Sequence, residues 1–445
     1  MKLFRFLREK QLFGDAFWVI LGQIVSAIAL LAGTRMLTEL VSPEIYGQVA
    51  LLNGFVALGV ALFSYPFICA GMRIVPECQN EWERAELYQV VAGYAARSTA
   101  LAVALLLVGG LIYRHFYHSD FILYLLAGLL LIVTVRRELG IQLLIGGRKQ
   151  RSASLWQTTD SLLRPLLAIS LVVWGGQKPE WVLLGYILAS LISNRVWSFV
   201  HRSKTRKQMR PSRIRNFKAD IWTYALPLIP MELLFWVNGM GDRYVIGYLL
   251  SAAEVGLYAA TYMIINEAFN RSAMVLLRIF QPVYFQYCSR NQAREGFRIL
   301  WIWIGCVVAL GIIGVTLLLL SKGWVTTWLL AKSYHSSVEL IPAIAVGCAL
   351  HALGMVLSQP LLANKQTRLL LSGRLCGALT AAVSIPLMVI HYGLPGAAFA
   401  NCIYFGVEAI VLAMLAKPWR MTGGFETGDG KDRVEEAVNG CKVST

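Results

Sequence analysis

No lysine lies inside any of the long apolar runs of this chain, although arginine does. Charge of every kind is scarce: 15% of the 445 residues are Asp, Glu, Lys or Arg, against about 25% in soluble domains. Acid is scarcer than base, 25 residues against 41. The eight cysteines (69, 78, 288, 306, 348, 376, 402 and 441) form no CxxC and no Cys/His cluster, which excludes a disulfide framework and a zinc site. The six histidines make no nucleophile or metal pattern, and His115 with His118 in HFYH is a weak pair in a short loop. No DxD motif occurs, which argues against a lipid-linked glycosyltransferase. The basic start (Lys2, Arg5, Arg8, Lys10) is not followed by a short apolar core with a small-residue cleavage site. An amphipathic surface helix is expected there rather than a cleaved signal peptide.

What fills the chain is hydrophobic sequence, 57% of all residues. Twelve runs lie near 14–34, 45–70, 87–113, 120–145, 152–174, 180–200, 220–241, 256–285, 297–320, 338–362, 368–391 and 394–416. Each approaches the roughly 20 residues that a helix needs to cross a bilayer. The fold class is therefore all-α, a polytopic membrane protein of about twelve transmembrane helices. The basic stretch 201–219 divides the runs six and six, giving one lobe over 1–200 and a second over 220–416. Residues 417–445 turn polar and Gly-rich and are expected to be a disordered cytoplasmic tail. Lys and Arg collect at the N-terminus, at 148–151, at 202–218, at 290–298, at 365–368 and at 417–420. That bias puts both termini in the cytoplasm. It also accounts for the net charge of +16 without nucleic acid. The 201–219 loop is read as a solvated linker beside anionic lipids, with a specific partner site as the other reading.

The halves echo each other. SPEIYGQVA (42–50) opens the second run and AAEVGLYA (252–259) the eighth; LLIGGRKQR (143–151) and LLANKQTR (361–368) join the fourth to the fifth and the tenth to the eleventh. A parallel six-helix repeat about the membrane normal explains matched echoes of the same sidedness.

Apart from Arg298 and Arg368 at their starts, the runs hold eight arginines: Arg97, Arg136, Arg137, Arg164, Arg195, Arg271, Arg278 and Arg374. Arginine in hydrocarbon is costly and normally faces protein or a wet cavity. Its planar donor fork suits phosphate or carboxylate, so a cationic interior with an anionic cargo is expected. Glu267, Asn270, Arg271, Met274 and Arg278 share one helix face. So do Gln157, Asp160, Ser161 and Arg164. In both stripes an i,i+4 ion pair is the structural alternative to a cavity role. Arg97 has no acid three or four residues away. Arg195 and Arg374 are expected to snorkel to the cytoplasmic surface, and neighbouring Arg136 and Arg137 must face different ways. The candidates for cargo binding are Arg97, Arg164, Arg271 and Arg278. The intramembrane acids Asp160, Glu232, Glu267 and Glu408 are candidates for coupling to a proton or sodium gradient, with neutralisation by arginine or a protonated structural hydrogen bond as the alternative. Trp236, with Asn238 nearby, is the candidate sugar contact. Pro227 and Pro230 mark a bend that is either a hinge or a static kink.

TRMLTELVSPEIYGQVALL (34–52), YALPLIPMELLFWVNGMGDRYVIGYLLSAAEVGLYAATY (224–262) and LLANKQT (361–367) resemble signatures of polysaccharide-export flippases. The resemblance spans residues 10–416 and points to the Wzx-type branch of the multidrug/oligosaccharidyl-lipid/polysaccharide exporter superfamily. It implies two six-helix lobes around a central cavity, no enzymatic activity, and no cofactor beyond an ion gradient. It implies a bacterial inner-membrane protein that moves undecaprenyl-diphosphate-linked oligosaccharide to the periplasmic leaflet, for O-antigen, capsule or exopolysaccharide. Polysaccharide-assembly proteins are the implied partners. The alternatives are a cation-coupled drug or metabolite antiporter of the same superfamily, which should prefer interior acids, and a membrane polysaccharide polymerase, which should carry a large outer loop.

Overall fold

A computed structural model describes residues 10–78, 80–117, 120–200, 217–290 and 292–417. The N-terminal basic cluster before Lys10, most of the basic linker and the tail beyond Lys417 lie outside the described residues. The rest is helical, with no strand among the described residues. The helices are α1 (Lys10–Leu40), α2a (Pro43–Gly59) and α2b (Tyr65–Ile74), α3 (Glu81–Tyr117), α4 (Phe121–Gly146), α5 (Gln150–Gly175) and α6 (Pro179–Val200). They continue as α7a (Phe217–Ala225) and α7b (Leu228–Leu249), α8 (Ala252–Ser289), α9 (Ala293–Leu329), α10 (Ile341–Leu357), α11 (Thr367–Tyr392) and α12 (Leu394–Ala416).

The chain is an all-α polytopic membrane protein. Seven passages are long and apolar enough to cross a membrane by length and composition: Trp18–Leu40, Pro43–Glu77, Glu81–Phe116, Ala293–Leu329, Lys332–Ala363, Thr367–Tyr392 and Leu394–Ala416. The other five, α4 to α8, carry most of the interior charge, from Arg136 to Arg271. One apolar core gathers Leu37, Ile68, Leu130 and Leu183 from the first half of the chain; another gathers Ile246, Tyr258, Ile344 and Phe405 from the second. Span seven serves both. Its helix breaks between Ala225 and Leu228, at Pro227, where a bend is expected. Below the break, α7a lays Phe217, Ile221 and Ala225 into the first core. Trp222 also meets Phe67 and Tyr94 edge-on at 5.2 and 5.8 Å. Above the break, α7b buries Ile246 in the second core.

The sequence echoes are structural repeats. In the α4–α5 turn, Gly147, Arg148 and Lys149 donate backbone hydrogen bonds to Leu143, Ile145 and Leu144 at 2.9, 3.0 and 2.8 Å. In the α10–α11 turn, Asn364, Lys365 and Gln366 donate to Pro360, Leu362 and Leu361 at 3.1, 3.1 and 2.8 Å. Arg148 and Lys365 both adopt φ 57°, a left-handed conformation uncommon for non-glycine residues. The other echo is a pair of capped helix starts. Ser42 accepts from Ile45 N at 3.4 Å and Ser251 from Glu254 N at 3.2 Å, each satisfying an orphan donor of the first turn.

These two starts cross. A Cβ on Gly47 would stand 1.8 Å from Ala252 O, and one on Gly256 would stand 1.8 Å from Pro43 O. Only glycine at both positions allows the α2a and α8 backbones to touch. Around the crossing the halves are tied further. Tyr334 OH donates to Val41 O at 3.2 Å, Tyr244 OH to Leu51 O at 2.8 Å and Trp236 Nε1 to Gly54 O at 2.9 Å. Gly47→Val and Gly256→Val are each expected to lower the thermal unfolding midpoint in detergent. The double variant should lose less than the sum, because one contact is broken in all three. Additive losses would show that the two glycines act at separate places.

Candidate substrate-binding site

The interior charges settle into clusters. In the first half, α4, α5 and α6 converge on Asp160, which is 2% exposed. Arg137 Nη1 pairs with Asp160 Oδ2, and Arg164 Nε lies 2.9 Å from the same oxygen. Ser190 and Ser193 donate to Oδ1 at 3.0 and 3.1 Å. Arg164 Nη2 donates to Ser190 Oγ at 3.2 Å, and Arg137 also pairs with Glu138 at 2.6 Å. Two guanidinium groups therefore balance two carboxylates. The i,i+4 pairing of Asp160 with Arg164 is the one read from spacing; Arg137, Ser190 and Ser193 come from other helices and were not legible that way. Arg136 points outward while Arg137 turns in, as adjacency requires.

In the second half, Glu408 of α12 is 1% exposed. It pairs with Arg374 of α11 and accepts from Asn238 Nδ2 of α7b at 3.0 Å. The Arg374 guanidinium lies over Phe235, 4.9 Å from the ring centre. Arg374 therefore does not snorkel. Gly377 leaves room for the Glu408 side chain on α11, so the arginine finds a buried carboxylate on the neighbouring helix instead of reaching for water. Arg243 is likewise 5% exposed and lies inside α7b. It meets Asp242 at 3.1 Å and Gly239 O at 2.8 Å and faces the Tyr262 ring at 4.8 Å, while Tyr258 OH donates to Asp242 Oδ2 at 2.6 Å.

A further cluster lies between the halves. On α8, Arg271 pairs through Nε and Nη2 with Glu267 one turn back. Its Nη1 donates to Gln23 Oε1 on α1. Both charged side chains keep partial access, 25% for Arg271 and 16% for Glu267. Gln23 was not singled out from the sequence, because a lone glutamine in an apolar run carries no spacing signal. Arg278, two turns further along α8, is exposed and has no ion pair or hydrogen bond to a described residue.

The remaining candidates stand apart. Arg97 is exposed on the face of α3 that also exposes Leu101, Leu105 and Val108. Glu232 is half-buried, without an ion pair or hydrogen bond to a described residue, and lies with Glu138 within electrostatic reach of Tyr65 and Cys69 on α2b. Trp236 is committed to Gly54 and Asn238 to Glu408. Of the four acids, Asp160, Glu267 and Glu408 are ion-paired. Among the described residues no group of three His, Cys, Asp or Glu could hold a metal.

The profile of the polysaccharide biosynthesis protein family matches residues 12–287. No curated protein matches the chain in sequence. Solved structures share the fold. The lipid II flippase MurJ in an inward closed conformation is 14% identical with a TM-score of 0.66, over 91% of this chain and 87% of that one. An inward-facing multidrug resistance MATE family transporter of the MOP superfamily is 14% identical with a TM-score of 0.67, over 90% and 94%. A MOP superfamily transporter from Pyrococcus furiosus, described by a reversed polarity of its binding pocket, is 15% identical with a TM-score of 0.55, over 92% and 93%.

Asp160→Asn leaves two guanidinium groups around a neutral acceptor and is expected to cost roughly 3–5 kcal/mol of stability, the usual loss when one member of a buried pair is removed. Glu408→Gln should likewise destabilise more than the double change Arg374→Met/Glu408→Leu, which removes both charges together. Unfolding midpoints of the purified variants check the order; a double variant less stable than Glu408→Gln would contradict it.

Proposed function

The chain belongs to the polysaccharide biosynthesis protein family, and from that membership we propose that it is a flippase for lipid-linked saccharides. The cargo in this reading is an undecaprenyl-diphosphate-linked oligosaccharide, moved from the cytoplasmic to the periplasmic leaflet of a bacterial inner membrane for O-antigen, capsule or exopolysaccharide synthesis. Both termini are cytoplasmic, the two halves rock about a shared cavity, and the chain performs no catalysis. Bringing a diphosphate and a glycan into hydrocarbon costs many kcal/mol, so the path must offer polar partners.

One observation carries the reading. Arg271 stands between the halves rather than within one of them, bonded to Gln23 on one side and Glu267 on the other. In this reading a diphosphate crossing between the halves meets that guanidinium, whose fork suits phosphate oxygens. Arg278, exposed and without a described partner on the same face of α8, is the complementary cation nearer the cytoplasmic end. The clusters around Asp160 and Glu408 serve instead to hold each half together. A second reading, a cation-coupled drug antiporter, is favoured by one residue: the half-buried Glu232, which has no described ion-pair partner.

Depletion of the protein is expected to make a lipid-linked saccharide accumulate, identified by mass spectrometry of the lipid extract. Arg271→Ala and Arg271→Ala/Arg278→Ala should reproduce the accumulation while reaching the membrane at normal levels. Accumulation of no lipid-linked intermediate, with loss of resistance to a cationic drug, would favour the antiporter.

A further inference from the structure

The contacts between α1 and the second half form a ladder. Tyr334 meets Val41 and Ala331 meets Thr38 near the Gly47–Gly256 crossing; Thr34 meets Met263 deeper in. Gln23 with Arg271 lies farthest from the crossing of these. It is also the one made by long, flexible side chains, and the one in which an ionised group from one half rests on a neutral acceptor from the other.

The backbones on either side of this contact are held. On α1, Ser154 Oγ and Thr158 Oγ1 of α5 donate to Trp18 O and Gly22 O at 2.8 and 3.3 Å. A Cβ on Gly22 would strike the Ser154 and Thr158 hydroxyls, so α1 moves with the first half at this level. On α8, Phe269 and Ala273 flank Arg271 and are buried in second-half cores. What varies between the bodies here is therefore the side-chain bond. Glu267 is a charged acceptor on Arg271's own helix, and Gln23 is a neutral one. A phosphate oxygen arriving at Arg271 offers a charge-assisted bond, about twice as strong as a neutral one. It therefore outcompetes Gln23 before Glu267.

We propose that Gln23 is a positioning residue, a latch that Arg271 releases when the phosphate oxygens of a lipid-linked diphosphate take its place, so that cargo arrival frees α1 from α8. The inference rests on the flippase reading and deepens it. It requires no ion gradient for the release step itself, because the exchange trades one acceptor for a stronger one.

The test places spin labels at Ile20 and Val275, both exposed (49% and 41%) and each about one turn from the latch. Distances are measured in liposomes, with and without undecaprenyl diphosphate, and separately with inorganic diphosphate. The unsubstituted latch should give a narrow distribution that lengthens and broadens when undecaprenyl diphosphate is added. An equal response to inorganic diphosphate assigns the trigger to the headgroup alone, and no response to it assigns the trigger to the lipid-anchored form; both support the latch. Gln23→Ala should be broad without any probe and unmoved by it. Gln23→Leu, which keeps the volume, provides the same reading should the alanine variant not fold. Gln23→Glu should stay narrow throughout and transport several-fold more slowly, because a second carboxylate now holds Arg271. Gln23→Ala and Gln23→Leu distributions that match the unsubstituted latch with and without probe would overturn the proposal. Arg271→Ala that transports normally would instead overturn the flippase reading of the site, whatever the distances show.

Discussion

A charge inside a bilayer must find an opposite charge or water, and the architecture of this protein follows from how that demand is met. Arg137 and Arg164 reach Asp160, Arg374 reaches Glu408 and Arg271 reaches Glu267, whereas Arg97, Arg136 and Arg278 stay exposed. Asp242 sits beside Arg243. The clusters of Asp160, Glu408 and Asp242 each join helices of one half. They tie helices of each half to one another, because a helix that slid away would leave a charge unpaired in the interior. The five spans that carry most of this charge are also the ones that length and composition alone do not single out as membrane-crossing.

The two halves of the chain meet where the repeat brings its copies together. The same capped helix start occurs twice, and the two copies cross at Gly47 and Gly256 with backbone against backbone. Such a contact carries no charge and no long side chain. Further along α1, Thr34 meets Met263 and Gln23 accepts from Arg271. Between the two cores, span seven is broken at Pro227 and gives one segment to each.

Much of the fold was legible in the sequence, because hydrophobic runs of bilayer length and the loop-charge bias record the span pattern directly. The paired echoes were legible too, down to the turn that places Arg148 and Lys365 in the same left-handed conformation. The charge network was legible only where partners share a helix, as in Asp160 with Arg164 and Glu267 with Arg271. Partners on other helices leave no spacing signal. Hence Arg374 was expected at the surface and is buried against Glu408. Gln23 shows the same limit from the other side: a neutral residue with no periodicity becomes informative only when the fold brings Arg271 to it.

The central claim is that this fold moves a diphosphate-linked saccharide past Arg271. The most direct measurement is a reconstituted one. Purified protein is placed in liposomes carrying a fluorescent undecaprenyl-diphosphate-linked oligosaccharide in both leaflets, and an enzyme that cleaves the glycan is added outside. Protein-free liposomes should protect the inner-leaflet half of the label. Liposomes with the protein should lose that protection over time. Protection that persists in the presence of folded protein, under an imposed proton or sodium gradient as well as without one, would contradict the account.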